Sequence, residues 1–351
     1  MKYLARYFVV VLLGAMLVGC ATPPERPGHN DPSRYSLASN VLWASPDGFD
    51  LTMDIYTPTS GKPSYPVLMI FHGGGWLIND KSKMDQAAKY FVTKGEYVIC
   101  NVDYRLLADQ DNTVTMDQIV ADTFGSVLWV KDNIQRYRGD PERLAVTGDS
   151  AGAHLAAMVV NRGHRLSSEG YNAQTLSFRP TYLPSNSSAE TVAENNSLDV
   201  QAALLSYGAF DTYKRGEDGF ETWKNPFWAL GGALPRGIFG DEFSPMSHPE
   251  MYKGVSPMHT IPSSTQRSLP PQLLTVGSED TLTTPALVKE YLAKLRGAGH
   301  NAQSWEYLGQ RHAYLDSGHN KLLGVSFADN APPALDVMLE FLDGVFYPTN
   351  N

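Results

Sequence analysis

Short apolar runs alternate with segments of helical periodicity along most of the chain. Near the start, the turn signal Ser45-Pro-Asp-Gly48 separates two short strand-like segments and predicts an antiparallel pair. Farther along, the apolar runs are nearly continuous, as is typical of parallel strands covered on both faces. The pattern predicts strands at 41–43, 51–56, 67–71, 97–102, 143–147, 202–206, 272–276 and 302–307.

Between several of these runs, apolar residues recur three and four positions apart, which is the spacing of an amphipathic helix. This spacing predicts helices at 116–134, 151–162, 285–296 and 334–346. Strands that alternate with helices favour an α/β fold with a mainly parallel central sheet and helices on both faces. We expect residues 36–351 to form this single domain.

Two long segments interrupt the alternation. Residues 163–200 are polar and follow a predicted helix, whereas residues 207–262 are rich in aromatic residues and follow a predicted strand. Ligands of parallel sheets bind outside the carboxyl ends of the strands, so a segment that leaves a strand emerges on the ligand-binding face. We therefore expect 207–262 to form a cap over a site and 163–200 to lie on the opposite face.

The first twenty residues do not fit this domain. Lys2 and Arg6 precede an apolar run at 8–18, the layout of a secretory signal. The run ends in Leu17-Val-Gly-Cys20, which resembles the lipobox of bacterial lipoproteins. We expect a signal peptide at 1–19, a lipid on Cys20 that binds the membrane, and a tether at 20–35. Because Ala21 rather than Asp follows the cysteine, the resemblance implies that the lipoprotein is anchored in the outer membrane. The alternative is an uncleaved anchor.

The composition narrows the class of partner. The chain has 351 residues with a formal charge of −9 and no basic cluster, so nucleic acid is not expected as a partner. Acylation of Cys20 would leave Cys100 as the remaining cysteine, without a disulfide. His, Asp and Cys are scattered without the spacing of metal ligands, and we expect neither a metal nor a cofactor.

The strongest chemical signal is the motif Gly148-Asp-Ser-Ala-Gly152, which lies between a predicted strand and a predicted helix. A nucleophilic serine at a tight strand-to-helix turn needs this glycine pattern. Ser150 is therefore the candidate nucleophile, and the backbone N–H of Ala151 is a candidate donor to a developing oxyanion.

A second glycine-rich motif, His72-Gly-Gly-Gly-Trp76, follows the predicted strand that ends at residue 71. Unobstructed backbone N–H groups in such a loop supply the other donors of an oxyanion hole, and we expect them from Gly73 and Gly74. Trp76 is a candidate floor of the substrate pocket, although packing beneath the loop is an equal alternative.

An activated serine needs a base and an orienting acid, which follow it in the chain in this fold. His312 follows the last predicted strand and is the candidate base, with His319 in reserve. His154 lies one helical turn after the serine, where the helix runs away from the site, and we expect it to be structural. Of the two carboxylates after residue 276, we prefer Asp280 to Glu279 as the acid.

Together these motifs resemble those of the hormone-sensitive-lipase-like carboxylesterases, over roughly residues 40–346. The resemblance implies an α/β-hydrolase fold with a cap and a serine carboxylesterase that works through an acyl-enzyme. It also implies the roles given above for the nucleophile, base, acid and N–H donors, and a structural role for Asp103-Tyr-Arg105. The motifs that carry it are His72 to Trp76, Asp103 to Leu106, Gly148 to Gly152, Gly277 to Leu282, and His312-Ala313.

One departure bears on the substrate. The nucleophile motif continues with Ala153-His154, where that family commonly has Gly-Asn; in this the chain resembles esterases of acetyl and feruloyl type, and formamidases. We expect a small-molecule or glycan ester with a short or medium acyl group, acetylated and feruloylated carbohydrates among the candidates. Two alternatives stay open: a formamidase-type amide hydrolase, and a binding lipoprotein without activity, against which the intact motifs argue.

The aromatic residues of 207–262 have two possible roles. Trp223 and Trp228 are candidates for substrate binding, together with Trp76. The alternative is that these aromatic side chains form a small core of the cap itself.

Overall fold

The computed structural model describes residues 31–348. The predicted signal peptide, Cys20 and most of the predicted tether lie outside the described residues. The end of the tether segment forms a short 3₁₀ turn, Pro32–Arg34, which Asp31 caps by accepting a hydrogen bond from the Ser33 N–H. The first strand begins directly afterwards.

Eight strands form the central sheet in the order β1-β2-β4-β3-β5-β6-β7-β8. The pairs β1–β2 and β2–β4 are antiparallel, and every other neighbouring pair is parallel. This topology confirms the α/β fold with a mainly parallel sheet. The strands are β1 (Tyr35–Ala44), β2 (Leu51–Pro58), β3 (Tyr65–Phe71), β4 (Val98–Val102), β5 (Gly139–Asp149), β6 (Ala202–Ser206), β7 (Gln272–Gly277) and β8 (Ala302–Tyr307), with β9 (His319–Asn320) and β10 (Val325–Ser326) forming a separate antiparallel pair.

Helices cover the sheet and fill the long segments. They are α1 (Asp85–Lys94), α2 (Asp109–Asn112), α3 (Met116–Asn133), α4 (Ala151–Arg162), α5 (Ala189–Glu194), α6 (Thr212–Glu217), α7 (Phe227–Leu230), α8 (Pro249–Gly254), α9 (Pro285–Gly297) and α10 (Phe327–Phe346). Among the described residues, none of these helices has the length and apolarity needed to cross a membrane.

The central strands are buried, as their nearly continuous apolar sequences predict. Every residue of β3, β4 and β6 is buried, because helices pack on both faces of the sheet. Helix α3 begins with a capping box, in which Thr115 and Gln118 satisfy each other's backbone N–H groups. Helix α10 begins at Phe327, ahead of two prolines, and not at 334 as predicted; Ser326 caps it, and burial of Phe327 and Ala331 stabilises the early turns.

The two long segments, 163–200 and 207–262, are in contact with each other. The ring of Tyr171 stacks on Phe178 and on Phe239, with centroids 4.7 and 5.6 Å apart, and its hydroxyl donates to the Met251 carbonyl at 2.6 Å. Phe178 in turn packs edge-on against Phe124 of α3. Because 163–200 is mostly polar, its composition does not reveal that Tyr171 and Phe178 pack in this way. Through these two rings the segment supports one side of 207–262.

Candidate active site

Ser150 lies at the sharp turn between β5 and α4. Its backbone has φ 52° and ψ −113°, a conformation that non-glycine residues rarely adopt, and its N–H donates to the Ser206 carbonyl at 2.9 Å. A Cβ on Gly152 would lie 1.9 Å from the Phe71 carbonyl oxygen, so no larger residue fits there. The strained turn places the hydroxyl at the carboxyl edge of the sheet.

Two further elements bring a histidine and a carboxylate to this hydroxyl. His312 Nε2 lies 3.1 Å from Ser150 Oγ, and His312 Nδ1 lies 2.7 Å from Asp280 Oδ2. Because a carboxylate accepts hydrogen bonds, Nδ1 carries the proton and Nε2 is free to accept from the serine. The loops after β5, β7 and β8 thus assemble the chain of contacts that a serine nucleophile needs.

The acid is fixed by its own loop. Asp280 Oδ1 accepts the backbone N–H groups of Leu282 and Thr283 at 2.8 and 2.9 Å, and Thr283 Oγ1 donates to Oδ2 at 3.0 Å. Burial opposes ionisation of this carboxyl group, but the hydrogen bond and charge of His312, together with the loop N–H donors, hold its pKa below the usual value. Asp280 is therefore ionised at neutral pH.

The competing candidates lie elsewhere. Glu279 is more than half exposed and lies 3.7 Å from Arg311. His319 is exposed on β9, and His300 Nε2 donates to the Pro262 carbonyl at 2.7 Å. The structure therefore does not bring the reserve candidate His319 into the contacts around Ser150.

The glycine loop corrects one expectation. The N–H of Gly73 donates to Asp149 Oδ1 at 2.7 Å and is not free to bind an oxyanion. By contrast, the N–H groups of Gly74 and Gly75 donate to no acceptor in the described part of the chain. Ala151 is the first residue of α4, whose N–H has no intrahelical partner. The donors that the geometry leaves available are therefore Gly74, Gly75 and Ala151, and sequence reasoning missed Gly75.

Asp149 and His72 set the position of this loop from beneath. Burial raises the pKa of Asp149 well above its usual value, and the nearby Asp316 carboxyl raises it further. His72 is buried and stacks on Tyr104, whose hydroxyl donates to the His72 carbonyl. His72 Nδ1 donates to the Gly73 carbonyl at 2.8 Å, so this histidine orients the loop.

The segment Asp103-Tyr-Arg105 is placed as a structural support. Asp103 accepts from the Lys81 N–H at 2.8 Å and pairs with Lys81 Nζ at 2.7 Å. Arg105 forms two hydrogen bonds with buried Asp122, at 2.8 and 2.7 Å. These pairs fix the chain after β4 and do not reach the cavity.

His154 connects three parts of the molecule. Its Nδ1 accepts from Trp76 Nε1–H at 3.2 Å, and its Nε2–H donates to the Val255 carbonyl at 2.7 Å. It is fully buried, and burial lowers its pKa to about 4, which keeps the ring neutral. His154 thereby ties α4 to the glycine loop and to segment 207–262, and neither ring nitrogen is free to act on a substrate.

A cavity of about 450 Å³ opens beside Ser150. The glycine loop contributes Gly75 and Trp76, and the acid loop contributes Leu282 to Thr284. One wall is formed by segment 207–262, which supplies Ala209, Asp211, Lys214, Arg215, Asp218, Gly219, Phe220, Lys224, Asn225, Pro226 and Phe227. Segment 207–262 therefore contributes more lining residues than any other part of the chain that the structure describes.

The aromatic residues of the cavity differ in part from those expected. Trp76 lines the cavity, but Trp223 and Trp228 do not. The expectation that these two tryptophans contact the substrate is therefore wrong. Trp228 is fully buried and donates to the Phe220 carbonyl at 2.7 Å, whereas Trp223 is 64% exposed to solvent. The aromatic rings that segment 207–262 contributes to the cavity are Phe220 and Phe227, which the sequence pattern did not distinguish from the other aromatic residues. Among residues 31–348, no three His, Cys, Asp or Glu side chains are grouped as a metal site.

Comparison with known proteins places this arrangement in a family. The sequence model of the BD-FAE family matches residues 53–295. Esterase LipQ of Mycobacterium tuberculosis is 26% identical over 300 residues, which cover 85% of this chain and 62% of LipQ. Carboxylesterase NlhH of the same species is 31% identical over 110 residues, covering 31% of this chain and 33% of NlhH. The chain thus spans less than two thirds of either relative.

Solved structures show the same fold. Esterase 2 of Thermogutta terrifontis in its apo form superposes with a TM-score of 0.63 at 20% identity, covering 92% of this chain and 98% of that protein. Its sarin-phosphonylated form gives a TM-score of 0.63 at 21% identity, over 94% of this chain. These likenesses support the α/β-hydrolase fold.

Proposed function

This chain belongs to the BD-FAE family, and from that premise we propose that it is a serine carboxylesterase with Ser150 as its nucleophile. The observation that carries the proposal is the unbroken series of contacts from Ser150 Oγ through His312 to Asp280 beside an open cavity. Relatives that are named esterases add to it.

In the proposed mechanism, Ser150 Oγ attacks the ester carbonyl carbon while His312 Nε2 takes its proton. The carbonyl oxygen becomes negative and is stabilised by the N–H groups of Gly74, Gly75 and Ala151. His312 then protonates the departing alcohol, which leaves an acyl-serine. A water molecule, deprotonated by His312, then attacks the acyl carbon; as the carboxylic acid leaves, His312 returns the proton to Ser150 Oγ.

Asp280 contributes by holding the imidazole in one tautomer and by stabilising the imidazolium that forms at each proton transfer. Its position, with two backbone donors and Thr283 around it, leaves it little freedom to turn away. The acid thus acts through the base and does not touch the substrate.

We propose short or medium acyl esters as substrates, with acetylated and feruloylated carbohydrates as the natural candidates. A cavity of about 450 Å³ suits a small acyl or aryl group and lies at the lower end of ligand pockets. The test is hydrolysis of p-nitrophenyl esters from acetate to decanoate, beside acetylated and feruloylated oligosaccharides. A maximum at short chains supports the proposal; faster hydrolysis of a matched formanilide would favour amide hydrolysis instead.

We also propose that the protein is a lipoprotein of the outer membrane, anchored through Cys20. The support is the sequence alone: two early positive charges, an apolar run and a lipobox-like ending. A tether ahead of β1 would hold the catalytic domain away from the bilayer, where polymeric esters can reach the cavity.

A further inference from the structure

Arg215, on the wall of the catalytic cavity, is a cation without a counter-ion among the described residues. It belongs to the short helix α6, and its Nη2 donates to the Leu282 carbonyl at 3.0 Å. Its Nε is buried and has no hydrogen-bond partner. No carboxylate of residues 31–348 lies within 4.0 Å of this guanidinium group, so its charge is not neutralised by an ion pair.

Some of the other charged side chains that line the cavity have partners within the protein. Lys214 pairs with Asp218, one turn along the same helix. Asp211 caps that helix by accepting the Lys214 N–H at 2.9 Å, and it lies 3.3 Å from His259 Nε2. Lys224, on the exposed rim, has no ion pair within the described ranges. Among residues 31–348, the cavity thus holds two cations without an ion pair, Arg215 and Lys224, beside the carboxylate of Asp211, although the chain as a whole has a formal charge of −9.

A buried cation is costly to leave unpaired, so an unpaired guanidinium group in a cleft points to a ligand. Burial lowers the pKa of Arg215, and the more distant carboxylates Asp280, Asp211 and Asp218 offset part of this effect. An arginine side chain offers its planar N–H donors in a geometry that fits a carboxylate. Arg215 and the catalytic Ser150 both line this cavity.

We propose that Arg215 binds a carboxylate group of the substrate, so that the preferred esters carry a negative charge as well as the bond to be cleaved. Lys224 at the rim attracts the same charge from solvent. The inference rests on the proposed esterase activity and names the class of substrate for that site. The carboxylate belongs either to the acyl part or to the alcohol part of the ester, and separate substrates distinguish the two.

A purely structural role is the competing explanation, because the contact with Leu282 joins α6 to the loop that carries Asp280. The two roles differ in what they affect. Loss of a structural tie would disturb the catalytic residues and slow every ester alike. Loss of a binding group would slow anionic esters more than neutral ones of the same size.

The experiment compares matched pairs of esters with the full chain. The acyl-side pair is p-nitrophenyl hydrogen glutarate against p-nitrophenyl valerate, and the alcohol-side pair is 4-carboxyphenyl butyrate against phenyl butyrate. The ratio of kcat/KM for the anionic to the neutral ester is measured for the wild type, Arg215→Met, Arg215→Lys and the surface control Arg165→Met. Arg165 is exposed and does not line this cavity.

The wild type should prefer the anionic member of at least one pair. Arg215→Met should lower that ratio by about 10- to 100-fold, as expected for a charge-assisted hydrogen bond, chiefly through KM. Arg215→Lys should restore part of it, and Arg165→Met should leave it within about twofold. An unchanged ratio in Arg215→Met, or a wild-type preference for the neutral member of both pairs, would overturn the inference. Absence of Ser150-dependent hydrolysis of the neutral esters would instead overturn the proposed function.

Discussion

The indole N–H of Trp76 donates to Nδ1 of His154 over 3.2 Å. With Nε2–H bound to the Val255 carbonyl, both ring nitrogens of His154 are satisfied only when the imidazole is neutral. His154, two residues after the nucleophile motif, thus couples the glycine loop to segment 207–262 by contacts that protonation would break.

The first prediction concerns the stability of this contact against pH. His154 has a pKa of about 4 in the fold and an ordinary value near 6.5 when unfolded, so the unfolded chain binds the proton first as pH falls. Its stabilising effect is full above pH 6.5 and declines below it. The difference in unfolding free energy between the wild type and His154→Gln should shrink by about 2 kcal/mol from pH 7.5 to pH 5.

Urea denaturation at the two pH values measures this difference. The matched control is His319→Gln, because His319 is exposed and lies in the β9–β10 pair. The control should show the same pH dependence as the wild type. Equal pH dependence of the wild type and His154→Gln would contradict the neutral, doubly bonded histidine.

The second prediction tests the base. His312→Ala should reduce kcat by at least about 10⁴-fold, because Ser150 then has no group to take its proton. His319→Ala should retain activity within about threefold. Steady-state rates on p-nitrophenyl acetate, with circular dichroism to check folding, give both values. The reverse pattern would assign the base to His319.

The third prediction concerns the wall of the cavity. Phe227 lines the cavity beside Gly75, whereas Trp223 points to solvent four residues earlier. Phe227→Ala should enlarge the cavity and shift the ratio of kcat/KM for octanoate to that for acetate by about tenfold toward the longer chain. Trp223→Ala, the control, should leave that ratio within about twofold. If Trp223→Ala shifts it more than Phe227→Ala, the cap is wrongly placed.

The fourth prediction concerns the proposed anchor. Cys20→Ala removes the thiol to which a diacylglycerol would be attached, so the variant should leave the detergent phase and lack the acyl mass. Phase partitioning in Triton X-114 and intact-protein mass spectrometry measure both changes. Unaltered partitioning and mass would contradict the lipoprotein proposal.

The sequence predicts those features that local pattern determines. The apolar runs at 202–206 and 302–307 coincide with β6 (Ala202–Ser206) and β8 (Ala302–Tyr307). Helix α4 (Ala151–Arg162) likewise begins and ends where its periodicity indicates. Helix α1 (Asp85–Lys94) was missed, although its buried Ala87, Tyr90 and Phe91 follow helical spacing.

The local sequence pattern could not predict contacts between residues that are distant in the chain. Three consecutive glycines look alike in sequence, and only the bond from Gly73 to Asp149, 76 residues later, shows which N–H group is occupied. Similarly, the aromatic residues of the cap share one composition, but packing buries Trp228 and turns Phe227 toward the cavity. That Arg215 has no ion-pair partner among the described residues can be seen only in the folded structure, where the positions of the neighbouring carboxylates are known.

Covalent labelling of Ser150 tests the central claim most directly. The wild type and Ser150→Ala are treated with a fluorophosphonate, and the labelled peptide is identified by mass spectrometry. We expect one adduct per chain, on Ser150, with loss of esterase activity. We expect no adduct in Ser150→Ala, whose kcat should be about 10⁴- to 10⁶-fold lower while its circular dichroism spectrum is unchanged. An adduct on another serine, or retained activity in a folded Ser150→Ala variant, would contradict it.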